Sequence, residues 1–200
     1  MSWTPFITAA GSILAAFAGA ALAAHFGFKR WREQRWFERR EHLAEQVLAD
    51  FYDVRIVFRW VRSPGAFGGE GETRPRPKQE EPPGLERLRN AYFAPIERIK
   101  AQKELFARLA VARFRFMALF GVGAAAPFEK IQKVQTDIVF AAQELIEEAG
   151  HDQDETTTEN KRTIWSRTDT RDEITKVIEE AVGQIETICQ PILEAKRPPR

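Results

Sequence analysis

The sequence predicts an all-α protein in which a single N-terminal transmembrane helix continues into a cytoplasmic antiparallel four-helix bundle. Three observations predict it. Residues 1–28 contain no Asp, Glu, Lys or Arg, and the next twelve residues carry six basic side chains. Beyond them, apolar residues recur three and four apart, the spacing of one helix face, and no stretch keeps the period of two of a half-buried strand. Clusters of Pro and Gly then divide this pattern into segments of helix length. The expected division is an anchor over 1–28, a basic juxtamembrane segment over 29–42, bundle helices over 43–62 and 85–195, a disordered loop over 63–84 and a tail over 196–200.

As a helix, Phe6 to Phe28 would be roughly 35 Å long, against a hydrocarbon core of about 30 Å. A secretory signal would need a basic stretch ahead of a short apolar run. Residues 1–5 carry no Lys or Arg, and the run is longer than a usual signal core. Ala21, Leu22 and Ala23 would suit a cleavage site, but Lys29, Arg30, Arg32, Arg35, Arg39 and Arg40 follow at once and resist translocation. Their charge predicts an external N-terminus and a cytoplasmic C-terminus. Nine alanines and His25 weaken insertion, so a cleaved signal and a buried Ala-rich helix stand as alternatives. Trp3 on one side and Trp31 and Trp36 on the other fit interfacial aromatic belts. Small residues occupy every fourth position (Gly11, Ala15, Gly19, Ala23, Gly27), a stripe that lets two helices approach closely in lipid. The expected use is a homo-oligomer, with a partner's span or no packing role as alternatives.

The basic block interleaves Arg with Trp. Next to a span this chemistry attracts anionic headgroups, at about 1 kcal/mol per basic residue near the surface. The membrane-interface residues are therefore Trp3, Lys29, Arg30, Trp31, Arg32, Arg35, Trp36, Arg39 and Arg40.

The first bundle stripe is Phe37, Ala44, Leu48, Phe51, Val54, Phe58 and Val61, with no Pro or Gly between Phe28 and Ser63. Span and bundle helix are thus expected to be one helix, ended by Ser63, Pro64 and Gly65. Residues 63–84 hold five Pro and five Gly and read as disordered. Arg74, Pro75, Arg76 and Pro77 there would suit a proline-binding domain, although a solvated linker explains them as well. From Leu85 to Phe120 a break is expected near Ala94, because Pro95 lacks an amide donor. The stripe after it is Ile96, Ile99, Phe106, Leu109, Ala110, Phe114, Met117 and Phe120, widened by Phe116 and Leu119, and Phe114 to Phe120, apolar on more than one side, is expected to be the most buried stretch. Pro127 opens the next helix, with Phe128, Ile131, Val134, Ile138, Ala141, Ala142, Leu145 and Ala149 inward and Gly150 as its stop. Residues 151–168 read as a polar loop pinned by Ile164 and Trp165. Thr170 with Glu173 forms a candidate capping box, with Asp169 as the alternative cap. The last stripe is Ile174, Val177, Ile178, Ala181, Ile185, Ile188, Cys189 and Ile192, and Pro191 is expected to weaken the final turn. Residues 85–120 carry eight basic and three acidic side chains and residues 129–160 two basic and nine acidic, which would steer these segments together.

Formal net charge is +1, so nothing global argues for nucleic acid. Cys189 is the only cysteine, which fits a reducing compartment, and its place on an apolar face makes it a core residue rather than a nucleophile. A di-iron carboxylate site needs two Glu-x-x-His pairs, and only Glu148 with His151 has the spacing. Zinc clusters, a phosphate-binding loop and a nucleophile elbow are missing from the sequence. His151 to Glu155 is acidic enough for a weak cation site but reads better as a solvated loop. No catalytic residue, metal or cofactor is implied. The expected function is a membrane-anchored scaffold or interaction module at the cytoplasmic face, with the bilayer, anionic headgroups and an unidentified protein as partners and no nucleic acid. A regulatory or sensor subunit is the alternative. The high Ala and Arg content suggests a GC-rich bacterial source and an inner membrane.

Overall fold

The computed structural model describes residues 4–77, 80–151, 154–166 and 172–195, with side chains from Gly27 onward. They form six α-helices and one 3-10 turn, without a strand. The chain divides into two compact units, Met1–His42 and Leu43–Arg200. The uninterrupted spacing between Phe28 and Ser63 is realised in α1, Thr4–Val61. Among the described residues no helix is long and apolar enough to cross a membrane. The apolar run itself lies almost wholly in residues 1–26, whose side chains fall outside the described set.

In the second unit α1 buries Ala44, Val47, Leu48, Phe51, Val54, Phe58 and Val61, one face of the helix. The other helices are α2 (Pro83–Ala101), α3 (Lys103–Phe120), α4 (Ala126–Glu148), α5 (Glu155–Ile164) and α6 (Glu173–Glu194). α4 packs against α2, α5 and α6. Its inward face holds every residue its spacing predicts, from Phe128 to Leu145. The core is cemented by aromatic edges. Phe128 meets Phe51 at 5.0 Å and 88° and Phe116 at 5.5 Å, pairs worth about 0.5–1.5 kcal/mol each beyond their buried area. Cys189 is fully buried in this core, and burial pushes its thiol up to about 12. The arrangement is a helical bundle of six helices rather than four long ones.

The differences from the sequence pattern have local causes. Pro95 does not break α2; it sits inside the helix among the buried residues Tyr92, Phe93, Ala94 and Ile96, whose packing outweighs one missing amide bond. The break comes instead at Gln102 (φ −101°, ψ 20°), whose N–H turns back to the Ile99 carbonyl at 3.0 Å. That shift re-phases α3. Leu105, Leu109, Ala112 and Phe116 face inward, while Phe114 is 64% exposed and is not part of the core. Residues 155–164 form a helix where the sequence reads as a loop. Asp154 caps it, accepting from the Thr157 amide at 2.7 Å and from the Thr157 hydroxyl at 2.9 Å. Only Thr157 and Ile164 of that helix are buried, too few for a visible stripe. Ile164 and Trp165 do pin the segment, Trp165 stacking at 5.6 Å on Tyr92. The cap of α6 is Asp172, which accepts from the Thr175 amide at 3.0 Å; Asp169 and Thr170 lie outside the described residues. Pro191 is carried within α6 without ending it.

Segment charges do not pair as their totals suggest. Among the described residues only Arg113 and Glu129, at 3.9 Å, join 85–120 to 129–160. Arg108 turns to the buried Asp50 of α1 at 2.8 Å, and Arg98 to Glu70 at 2.5 Å.

Two buried arginines explain why the loop is not the disordered segment its composition implies. A helix leaves its last carbonyls unbonded. Arg98, 1% exposed, donates to the carbonyls of Val61 (3.2 Å), Ser63 (3.0 Å) and Gly65 (3.0 Å), closing the end of α1, and its fork is completed by Glu70. Arg62, also 1% exposed, donates to the carbonyls of Arg162 and Thr163 at 2.9 Å, closing α5, and to Asp172 at 3.0 Å, the cap of α6. Burial pushes the Arg62 pKa down, and Asp172 works against that shift. Further along the loop, Glu97 accepts from the amides of Gly71 (2.5 Å) and Thr73 (3.2 Å). Gly71 has φ +82°, and a Cβ there would collide with the Asn90 carbonyl, so only glycine fits.

Candidate functional site

The first unit carries a surface of exposed Trp and Arg that has no structural use in the described residues. α-Helical spacing puts residues four apart on one ridge. Trp31, Arg35 and Arg39 therefore form one ridge, and Phe28, Arg32, Trp36 and Arg40 the next. The Arg35 guanidinium lies 5.5 Å from the Trp31 ring centroid, and that of Arg40 lies 4.5 Å from the Trp36 ring. Trp31, Arg32, Arg35, Trp36 and Arg39 line one shallow concavity.

These side chains are mostly exposed. Phe28 is 71% exposed, Trp31 54% and Trp36 50%. Lys29, Arg30, Arg32, Arg35 and Arg39 are exposed as well, and Arg40 is half-buried. Among the described residues Arg32, Arg35 and Arg39 make no ion pair. A guanidinium over an indole gains about 0.5–1 kcal/mol at an exposed site and keeps its in-plane N–H donors for an outside acceptor. Exposed indoles beside such cations are amphipathic, apolar in the ring and polar at the N–H. The ridge pair can therefore bind an anionic oxygen layer that borders on apolar material.

Of the other residues singled out in the sequence, Trp3 lies outside the described residues. Gly11, Ala15, Gly19 and Ala23 lie in α1 where no side chain is described. Gly27 is described, and among the described residues a Cβ there would meet nothing within 4 Å. Arg74 is not a free ligand residue. It is buried, donates to Asn90 at 3.2 Å and pairs with Glu81, while Arg76 pairs with Glu86 at 3.0 Å. The His151 ring bonds the Glu148 carbonyl at 3.2 Å, and Asp154 serves as a helix cap, so neither is placed as a metal ligand. Among the described residues no three metal-ligating side chains cluster.

A cleft of about 620 Å³ in the second unit lies between α4, α5 and the start of α6. Most of its carboxylates are engaged. Asp137 pairs with Lys133 at 2.6 Å, Glu144 accepts from Asn160 at 2.8 Å, and Glu173 pairs with Lys176 at 2.6 Å. What sequence reasoning missed is the pair Arg62 and Arg98. Nothing marks them except that Arg62 closes the last turn of an apolar helix and Arg98 sits beside buried positions.

No protein-family model matches the chain, and comparison with curated proteins and with solved structures gives no match.

Proposed function

We propose that this protein is a single-pass membrane-anchored helical bundle that works without catalysis, as a scaffold or interaction module at the cytoplasmic face of a bacterial inner membrane. The observation that carries the reading is the junction at residue 28. An uncharged apolar run ends there, and two ridges of exposed Trp and Arg begin at once. That order of polarity is the order of a bilayer from acyl chains to headgroups. The basic block keeps the C-terminal side in the cytoplasm, and the stripe from Gly11 to Gly27 offers a seam for a homo-oligomer. The test is alkaline carbonate extraction of membranes carrying the full chain. Retention in the pellet is expected. Release into the supernatant, or loss of residues 1–23 from the mature chain, overturns the anchor.

A second reading is favoured by α1, assigned as one helix from Thr4 to Val61. In it the protein is a regulatory or sensor subunit that passes a state along that helix. Glycines inserted near Arg40 are then expected to abolish the output while the bundle stays folded. Unchanged output would remove this reading.

A further inference from the structure

α3 carries a second basic and aromatic surface, on the side away from the core. Leu105, Leu109, Ala112 and Phe116 point inward. Ala107, Val111, Phe114 and Ala118 repeat the same four- and three-residue spacing on the opposite side, where all four are exposed. Val111 is 56% exposed, and Val122, in the turn that follows, 77%. The flanks are basic. Lys103 and Arg115 make no ion pair among the described residues, and Arg113, whose guanidinium lies 5.1 Å from the Phe114 ring, reaches Glu129 only at 3.9 Å. Glu104 is the one acidic residue of this helix. Beside Phe114 a groove of about 360 Å³ opens between α3 and α4, lined by Phe106, Leu109, Phe128 and Ile131 together with Arg113, Gln132 and Gln135.

We propose that this face of α3 docks on an anionic lipid surface. Val111 and Phe114 enter the boundary between headgroups and acyl chains, the groove takes acyl surface, and Lys103, Arg113 and Arg115 reach the phosphates. The charge pattern selects this occupant. Exposed Val111 and Phe114 with Lys103 and Arg115, unpaired among the described residues, on the same helix, and Arg113 beside the groove, have the polarity order of an anionic lipid. A second copy would set the same cations against each other. Each basic side chain adds about 1 kcal/mol near such a surface, too little for firm binding by three alone. The docking rests on the anchored reading above, since a tether supplies the local concentration that weak docking needs.

Cys189 is fully buried with a raised thiol pKa, so a single new cysteine can be labelled in the full chain. Phe114→Cys carries an environment-sensitive NBD label, and Thr187→Cys on the exposed side of α6 serves as control. Both are reconstituted in phosphatidylcholine vesicles with and without phosphatidylglycerol. The expected result is a blue shift and protection from aqueous quencher at 114 only with phosphatidylglycerol, no change at 187, and loss of the shift in Lys103→Glu/Arg115→Glu. A water-like probe at 114 in both vesicles overturns the proposal. So does a shift that is independent of phosphatidylglycerol and grows with protein density, which would mean a second copy covers the face. Carbonate extraction of the same vesicles separates the two readings. A retained chain with a water-like probe keeps the anchor and removes the docking. An extracted chain whose probe had shifted does the reverse.

Discussion

Arginine behaves in opposite ways in the two units. In Leu43–Arg200, Arg62 and Arg98 are 1% exposed and nearly all their donors end on carbonyls and carboxylates of the same chain. In Met1–His42, Arg32, Arg35 and Arg39 are exposed, and Arg35 rests on an indole rather than on an acceptor. The residue type is the same, and the surroundings differ. Where two helix ends and a loop converge, a planar fork with five donors closes several orphan carbonyls at once. Where a lone helix face meets solvent, the same fork stays available to an outside anion. Buried arginines here are structural, and the exposed ones carry the candidate function.

That contrast predicts a graded set of effects. The largest belongs to Arg62→Ala. It takes the buried fork away from Asp172, 7% exposed, and from the end of α5, so bundle stability should fall by about 3–5 kcal/mol in urea denaturation. Arg62→Lys should recover little, because one ammonium cannot replace the fork. A loss below about 1 kcal/mol would show that the fork is not what ties α1 to α5 and α6.

Arg98→Met should come next, costing about 2–3 kcal/mol through the unbonded end of α1 and the freed Glu70. Limited proteolysis should then cut within residues 63–77, where the parent chain is expected to resist. An uncut loop would mean that Glu97 and Glu81 hold it without Arg98.

Acid should produce a smaller, local version of the same change. The hydrogen bond from Arg98 holds the Glu70 carboxyl below the usual carboxylate range. Glu97 is also held low: burial opposes its charge, but the donors of Thr73 and Gly71 outweigh it. For groups depressed on folding, the stabilisation is full above the unfolded value, about 4.3, and is lost as pH falls through the folded value. Amide exchange at Gly71 and Thr73 should therefore accelerate below pH about 4 before the core of α4 opens. Simultaneous opening of both would refute a separate loop clamp.

The smallest effect on stability should come from Trp31→Ala with Trp36→Ala. Both indoles are half exposed, so the bundle should change by no more than about 0.5 kcal/mol. The same pair should weaken the hold of residues 29–40 on anionic vesicles, read as increased quenching of an interfacial label at Arg39→Cys. A large stability loss with unchanged quenching would invert the comparison.

Legibility of the fold followed the strength of its periodic signal. α4 was readable residue by residue, because its apolar spacing runs unbroken from Phe128 to Leu145 between Pro127 and Gly150. The phase of α3 was only partly legible: Leu109 and Phe116 are in the apolar pattern and are buried, but the run Phe114, Phe116, Met117, Leu119 and Phe120 is apolar all round, and only the bend at Gln102 decides which side turns in. α5 was invisible because two buried residues in ten make no pattern. The loop was misjudged because composition counts Pro and Gly, while its order depends on donors and acceptors far away in sequence.

Local chemistry in the sequence was thus enough to determine the helical class, the inward faces of α1, α4 and most of α6, the stop at Gly150, and the abrupt change of polarity at residue 28. These depend on spacing, backbone freedom and charge within a few residues. Only the tertiary structure decided the burial of Arg62 and Arg98, the ordered path of residues 63–77, the exposed face of α3 and the cap at Asp172. Each of these depends on which group arrives from another part of the chain, and a polar donor is buried or left in water according to whether its acceptor is brought to it.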